Sequence, residues 1–189
     1  MPLTRSERRL KAETYEILSY LGLVLEEIEE YPEEDRATRL IIIKQNTIRG
    51  EIVMKFTVVD EYLTLIICHF YFRRPKSKSA GYSNLWKNPK FKIFNHYLMD
   101  EIYTSLKVKL IHEIDPIPSA IRVKIEKVTA LRNAITHSLF AENRRQYAKY
   151  KKVMYDNQEI FSMAGLSAFE NDFAAIRDYL EARAWPSKS

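Results

Sequence analysis

Arg132, Asn133 and His137 are the residues of this sequence whose types and spacing suggest chemistry. They lie in the segment Arg-Asn-Ala-Ile-Thr-His, which places an imidazole five positions after a guanidinium and sets a carboxamide beside that guanidinium. A guanidinium binds anions through a planar fork of N–H donors, and an imidazole exchanges protons near neutral pH. The three side chains therefore form a candidate site for acid–base chemistry, provided that one element of structure holds them together.

The spacing of apolar residues predicts that this element is a helix from Ser119 to about Phe140. At about 100° per residue, one set of apolar side chains shares a single stripe along the helix. The stripe consists of Ile121, Ile125, Val128, Leu131, Ile135 and Leu139. The polar residues of the neighbouring arc are Thr129, Arg132, Asn133, Thr136 and His137. The stripe is suited to a protein core, and the ordered polar face beside it requires a separate explanation.

Other familiar catalytic motifs are absent from the sequence. His69, His96 and His112 are scattered, and no cluster of cysteine, histidine and carboxylate has the spacing of a zinc site. There is no Walker loop, no glycine-rich dinucleotide turn, no nucleophile elbow and no His-Glu-x-x-His. We therefore expect neither a metal nor a cofactor, and the residues from Arg132 to His137 remain the candidate site.

Composition favours a helical protein. The chain has 189 residues, of which 46% are hydrophobic and 29% charged, with four glycines and seven prolines. Few turn residues argue against a β-sandwich, so we expect an all-α fold, an antiparallel bundle of four to six helices in a single domain spanning 1–189. A net charge of +5 allows a polyanionic partner, and a lone cysteine, Cys68, suits the reducing cytoplasm.

Apolar periodicity predicts most of the helices in the first two thirds of the chain. The first begins near Ser6 as N-cap, carries apolar spacing as far as Ile28, and is followed by Pro32. The segment 39–48 fits either a strand or the start of a helix. The segment 51–74 predicts a long buried helix, with a hydrophobic β-hairpin as the competing interpretation. A further helix is expected from Phe91 to Ile114, where Asp115-Pro116-Ile117-Pro118 ends it.

The C-terminal part of the sequence predicts a hairpin and a final helix. Residues 153–161 around Asp156-Asn157 suit a small β-hairpin, within a broader region at 147–161. The final helix, at about 162–184, begins at Ser162 or at Ser167, since Ser167 and Glu170 have the spacing of a capping box. The longest uncharged apolar run, 62–72, is too short to span a bilayer, so no membrane partner is expected.

Two adjacent acids, Asp60 and Glu61, interrupt the apolar helix. A carboxylate there is unfavourable unless it reaches water or a cation. Either one of them faces solvent, or Glu61 pairs with a site arginine and holds it in place.

The segment 73–92 predicts a basic loop. It contains Pro75, Gly81 and Pro89, and it has no acid. Tyr82, Trp86 and Phe91 are interleaved with its cations, a pattern suited to single-stranded nucleic acid, although basic loops are commonly only solvated. A second basic, aromatic stretch follows the candidate site. The candidate RNA-binding residues of both segments are Arg73, Arg74, Lys76, Lys78, Trp86, Arg144 and Arg145.

The segment from Arg132 to His137 resembles the Arg-x(4–6)-His motif of the HEPN (higher eukaryotes and prokaryotes nucleotide-binding) family, in its common Arg-Asn form. In that family the motif lies on a late helix of an all-α bundle, after a long apolar helix and a variable loop. Many members are metal-independent endoribonucleases, frequently toxins or phage-defence effectors. They act as dimers whose motifs face each other across the interface.

The resemblance implies a mechanism for cleaving RNA. His137 acts as base or acid, Arg132 neutralises the crowded phosphate, and Asn133 orients the phosphate or the 2′-hydroxyl. Glu61 and Thr136 are the supporting residues. Because one histidine cannot readily make both proton transfers, a homodimer is expected. The expected products carry 2′,3′-cyclic phosphate and 5′-hydroxyl ends.

One departure from the family concerns Leu139. HEPN toxins paired with nucleotidyltransferase antitoxins often carry a tyrosine at that position, two residues after the histidine, where AMP can be attached. A cognate antitoxin protein therefore remains only one candidate partner. The alternative function is a non-catalytic helical module that binds nucleic acid or protein, with Arg132 as a structural ion-pair partner and His137 incidental.

Overall fold

The described part of the chain is all-α apart from one small β-hairpin, as the composition and the pattern around Asp156-Asn157 predict. A computed structural model describes residues 3–24, 32–72, 85–139 and 153–185. Its α-helices are α1 (Arg5–Tyr20), α2 (Glu33–Tyr71), α3 (Pro89–Phe94), α4 (Thr104–Ile114), α5 (Ser119–Leu139) and α6 (Met163–Ala184). A π-helical segment, Asn95–Met99, follows α3 directly. The hairpin consists of β1 (Met154–Tyr155) and β2 (Gln158–Glu159).

The chain divides into two compact units, each assembled from two stretches of sequence. The first unit comprises Met1–Met54 with Leu131–Glu170, and the second comprises Lys55–Ala130 with Asn171–Ser189. Helices α2, α5 and α6 each contribute residues to both units. In the described part of the chain, no helix combines the length and the apolar composition that a membrane crossing requires.

Helix α1 begins two residues earlier than the sequence predicts. Its N-cap is Thr4, whose hydroxyl accepts a hydrogen bond from the Glu7 N–H at 3.2 Å. The Glu7 carboxylate accepts the Thr4 N–H at 2.7 Å in return, a reciprocal capping box that Ser6 cannot form with Arg9 three residues later. The prediction of Ser6 as N-cap is therefore wrong. The helix also ends at Tyr20 rather than near Ile28, because Gly22 adopts a φ of +74° and turns the chain.

Helix α2 settles the ambiguity over 39–48 and excludes the hairpin alternative for 51–71, because both segments belong to one helix of 39 residues. In the first unit the buried positions recur every fourth residue, at Arg36, Leu40, Lys44, Ile48 and Ile52. A strand would instead bury every second residue. Burial at helical spacing therefore determines the structure of this segment, and the β-branched character of residues 40–43, which favours a strand, does not.

The region between α3 and α4 differs from the predicted loop and helix. Helix α3 begins at Pro89, where the Asn88 side chain accepts the Lys90 N–H at 3.0 Å, so the basic loop does not extend to Lys92. The helix predicted from Phe91 to Ile114 is also interrupted. After the π-helical segment the backbone leaves the helical conformation, and Tyr103 is extended with ψ at 148°. Local apolar spacing continues through this break and so does not reveal it.

The hairpin forms around the predicted turn and leads directly into α6. Asp156 and Asn157 have φ values of 46° and 63°, as the two central residues of a tight hairpin turn require. Ser162 immediately precedes α6 and caps it, since its hydroxyl accepts the Gly165 N–H at 3.2 Å and donates to the Glu159 carbonyl at 2.6 Å. The alternative start at Ser167 is wrong. The part of the predicted hairpin region before residue 153 lies outside the described residues.

Candidate functional site

Helix α5, which carries the candidate site, begins after a proline-rich link in the second unit. Asp115 is extended and ends α4. The His112 ring accepts the Ile117 N–H through Nδ1 at 3.0 Å, which ties the link back to α4. The Pro118 carbonyl then accepts the N–H groups of Ile121 and Arg122 at 3.0 Å and opens α5. The predicted boundary between these two helices is confirmed.

One face of α5 is buried along most of its length. Ile125 and Val128 are each 1% exposed in the second unit, and Leu131 and Ile135 are buried in the first. Ile121 is half-buried. The apolar stripe predicted from the sequence is therefore a core face, and it fixes the rotation of the helix about its axis.

The polar residues lie on the adjoining arc of the same helix. Ideal helical geometry rotates each position about the helix axis by a fixed angle from Arg132. The rotation is about 40° for Thr136, about 100° for Asn133 and about 140° for position 137. Arg132 and Thr136 are half-buried, whereas Asn133 is exposed. The backbone at His137 is helical, and the His137 side chain lies outside the described residues.

Two threonines of this arc bond to the helix itself. The Thr136 hydroxyl donates to the Arg132 carbonyl at 2.9 Å, and the Thr129 hydroxyl donates to the Ile125 carbonyl at 2.7 Å. Such back-bonding satisfies a hydroxyl within the helix. Thr136 thus contacts the backbone of Arg132, while the exposed carboxamide is that of Asn133. The arrangement offers a partly desolvated cation next to a solvent-facing hydrogen-bonding group, which suits recognition of an anion.

Of the two adjacent acids Asp60 and Glu61 in α2, Asp60 is the one that binds a buried cation. Its carboxylate accepts from Lys107 Nζ at 2.6 Å and from the Thr104 hydroxyl at 2.6 Å. Glu61 is exposed, as the first alternative for this pair predicts. Glu61 belongs to the second unit and Arg132 to the first. The pairing of Glu61 with a site arginine remains a prediction.

Most candidate RNA-binding residues fall where the structure gives no description. Arg73, Arg74, Lys76, Lys78, Arg144 and Arg145 lie outside the described residues. Trp86 is described and is 44% exposed. Phe91, interleaved with the same cations in sequence, is fully buried and contacts the Trp86 ring edge-to-face at 5.3 Å. Phe91 is therefore a core residue and offers no face to a base.

Polar contacts in the second unit were not foreseen from the sequence. Asp172, which is buried, forms an ion pair with Lys124 and lies 3.9 Å from Lys127. Asp115 forms an ion pair with Arg183 of α6, which also donates to the Asp115 carbonyl at 2.7 Å. The paired residues are far apart in sequence, so no local sequence pattern predicts these ion pairs.

Cys68, the sole cysteine of the sequence, is buried. Burial raises the pKa of the Cys68 thiol to about 12, so it stays protonated and unreactive at neutral pH. No group of three or more histidine, cysteine, aspartate or glutamate side chains in the described ranges is placed to hold a metal ion. Comparison with family models, with curated proteins and with solved structures finds no match to this chain.

Proposed function

We propose that the chain is a metal-independent endoribonuclease of the HEPN type, with Arg132, Asn133 and His137 as its catalytic residues. The observation that carries the proposal is the placement of all three residues on one continuous helix, along an arc that adjoins a buried face. A helix anchored by its core face holds its polar residues in fixed relative positions, as pre-organised catalysis requires.

In the proposed reaction the 2′-hydroxyl oxygen of a ribose attacks the adjacent phosphorus, and the bond to the 5′-oxygen of the next nucleotide breaks. One His137 accepts the proton of the 2′-hydroxyl, and a second imidazole donates a proton to the leaving 5′-oxygen. Arg132 neutralises the charge that develops on the phosphate, and Asn133 orients one of its oxygens. The products carry a 2′,3′-cyclic phosphate and a 5′-hydroxyl.

The need for a second imidazole makes a homodimer part of the proposal. A two-fold axis brings two copies of the same helix together, so each active centre receives one His137 as base and one as acid. A nuclease of this kind acts in the cytoplasm, as a toxin or a defence effector held in check by a cognate antitoxin protein. Glu61 and Thr136 keep their proposed supporting roles, Thr136 through its bond to the Arg132 backbone.

The test is incubation of the purified protein with a mixed-sequence RNA in EDTA. Cleavage is expected in the wild type and is expected to fall by at least about 100-fold in Arg132→Ala and in His137→Ala. The matched controls are Arg122→Ala, an exposed arginine of the same helix, and His96→Ala, an exposed histidine of the second unit. Both controls are expected to cleave like the wild type.

The end groups and the oligomeric state complete the experiment. The 3′ ends are expected to resist phosphatase until acid opens the cyclic phosphate. Equal mixing of wild-type and His137→Ala protomers is expected to leave about one quarter of the activity of the same amount of wild-type protein, rather than about half, because only dimers with two copies of His137 can make both proton transfers. Cleavage that requires a divalent metal, or that survives both substitutions, contradicts the proposal. RNA binding without any cleavage supports the alternative, a non-catalytic helical module.

A further inference from the structure

A continuous chain of aromatic rings runs across the second unit, between the end of α2 and the start of α3. Successive ring centroids are 5.1–5.5 Å apart, in the order Phe70, Tyr71, Phe94, Phe72, Phe91 and Trp86. Most of the contacts are edge-to-face, the arrangement that aromatic pairs prefer. Each ring is therefore held by at least one other ring.

The ends of this chain are exposed, whereas its interior is not. Phe91 is fully buried, and Phe72 and Phe94 are half-buried. At one end Phe70 and Tyr71 are 59% and 57% exposed, and at the other Trp86 is 44% exposed. A core requires only the buried rings. The exposed rings at the two ends are therefore held in place by ring contacts, although the packing of this unit does not require them to be exposed.

The charge beside these rings indicates what the surface binds. Lys87, Lys90 and Lys92 are all exposed and lie next to Trp86 in sequence and around α3. The residues from Leu85 to Met99 include no aspartate or glutamate. Lysines are depleted from the cores of protein–protein interfaces, whereas cations that reach phosphates, beside rings that stack on bases, are the elements of single-strand binding.

We propose that the surface formed by Phe70, Tyr71 and Trp86 with Lys87, Lys90 and Lys92 binds single-stranded RNA. Bases stack on the exposed rings, and the lysines neutralise the intervening phosphates. The choice of RNA over DNA rests on the proposed function. This surface adds the inference that the RNA is bound in single-stranded form. Binding itself needs no cleavage, and the two proposals are therefore separable by experiment.

The experiment measures binding of a fluorescein-labelled 20-nucleotide oligouridylate by anisotropy in EDTA. The full chain is used in a His137→Ala background, so that cleavage does not interfere. Adding Trp86→Ala is expected to weaken binding by about tenfold, because stacking of one base contributes about 1–3 kcal/mol. Trp86→Phe, which keeps a ring, is expected to restore most of it. Tyr15→Ala removes a ring of the first unit that is 59% exposed, more than Trp86, and is expected to leave the Kd within about twofold.

The lysines are tested by charge reversal at matched net charge. A triple variant with Lys87, Lys90 and Lys92 changed to glutamate is expected to lose about three phosphate contacts. At about 0.7 per contact, the slope of log K against log salt concentration is expected to fall by about 2 in magnitude. The control changes the exposed residues Arg5, Arg8 and Arg9 of α1 to glutamate, with the same change in net charge. Equal effects of the two triple variants would show that only overall charge matters and would overturn the proposal.

Further outcomes separate this surface from the proposed cleavage site. Unchanged binding in Trp86→Ala, equal affinity for duplex and single-stranded RNA, or self-association that depends on Trp86 in the absence of RNA each overturns the surface proposal. An oligodeoxythymidylate that binds as tightly as the RNA overturns the choice of RNA. If Trp86-dependent binding occurs but no RNA is cleaved by the wild type, the surface proposal stands and the endoribonuclease proposal fails.

Discussion

Lys107 and Asp60 form an ion pair between α4 and α2, with Nζ and Oδ2 2.6 Å apart. The Lys107 side chain is 5% exposed and that of Asp60 is 29% exposed. The ammonium also donates to the Thr64 hydroxyl at 3.0 Å, and the Thr104 hydroxyl donates to the second oxygen of Asp60. An unpaired carboxylate in the middle of an apolar helix would be unfavourable. This network supplies Asp60 with a cation, Lys107.

Removing the charge of Asp60 is expected to destabilise the protein strongly. In Asp60→Asn the buried Lys107 ammonium loses its anionic partner, and breaking a buried pair in this way costs about 3–5 kcal/mol. Urea unfolding followed by circular dichroism measures the loss. The control is Glu61→Gln, at the next position of the same helix, where the side chain is exposed and the expected change is within about 0.5 kcal/mol. Equal losses in the two variants would contradict a specific role for the Asp60 pair.

Two glycines are expected to respond to alanine with opposite signs. A Cβ on residue 165 would lie 2.7 Å from the Glu159 carbonyl carbon, so Gly165→Ala forces α6 away from β2 and is expected to cost at least about 1–3 kcal/mol. A Cβ on Gly50, inside α2, meets no atom within 4 Å. Gly50→Ala is therefore expected to stabilise by about 0.5–1 kcal/mol, because alanine favours the helix. The thermal midpoints of the two variants, measured against the wild type, check both signs.

The helices were predictable where local periodicity coincides with burial. The predicted bounds of α5 hold because its apolar face and the prolines before it act locally. The start of α1 was misplaced because Thr4 and Ser6 are both plausible caps, and only the glutamate three residues after Thr4 distinguishes them. The break before α4 was not predictable, since it brings the Thr104 hydroxyl to Asp60, a residue 44 positions earlier in the sequence.

The candidate site was predictable only as a set of positions on a helix. The polar arc of Arg132, Asn133 and Thr136 follows from helical geometry, and its partial exposure agrees with that expectation. The aromatic chain from Phe70 to Trp86 was not predictable, because its rings come from two helices and a turn. Phe91 illustrates the limit: its sequence neighbours suggest a base-stacking ring, but tertiary packing buries it.

Stability is expected to depend on pH through Glu7. The N–H of Thr4, and next the Thr4 side chain, lower the pKa of Glu7 by hydrogen bonding, against the opposing effect of burial. A lowered pKa means that the carboxylate stabilises the fold above the pKa of an unfolded glutamate, about 4.3, and loses this effect as the pH falls through the lower value of the folded state. Glu7→Gln removes the charge, so its thermal midpoint should lie below that of the wild type at pH 7 and approach it below about pH 4.

The control for this measurement is Glu16→Gln, an exposed position of the same helix. Its difference from the wild type is expected to be small across the range. A Glu7→Gln difference that is constant from pH 7 to pH 3 would show that the carboxylate charge does not contribute through the capping box.

Asn133 provides a test that separates catalysis from stability. Its side chain is exposed on α5, so truncation removes no buried contact, and alanine is the better helix former by about 0.5 kcal/mol. If the carboxamide orients the scissile phosphate as proposed, Asn133→Ala should cleave RNA about 100-fold more slowly while its thermal midpoint stays level or rises. Asn46→Ala, which truncates an exposed asparagine of α2, should keep full cleavage. Full activity in Asn133→Ala would remove the carboxamide from the mechanism and leave Arg132 and His137 as the proposed catalytic pair.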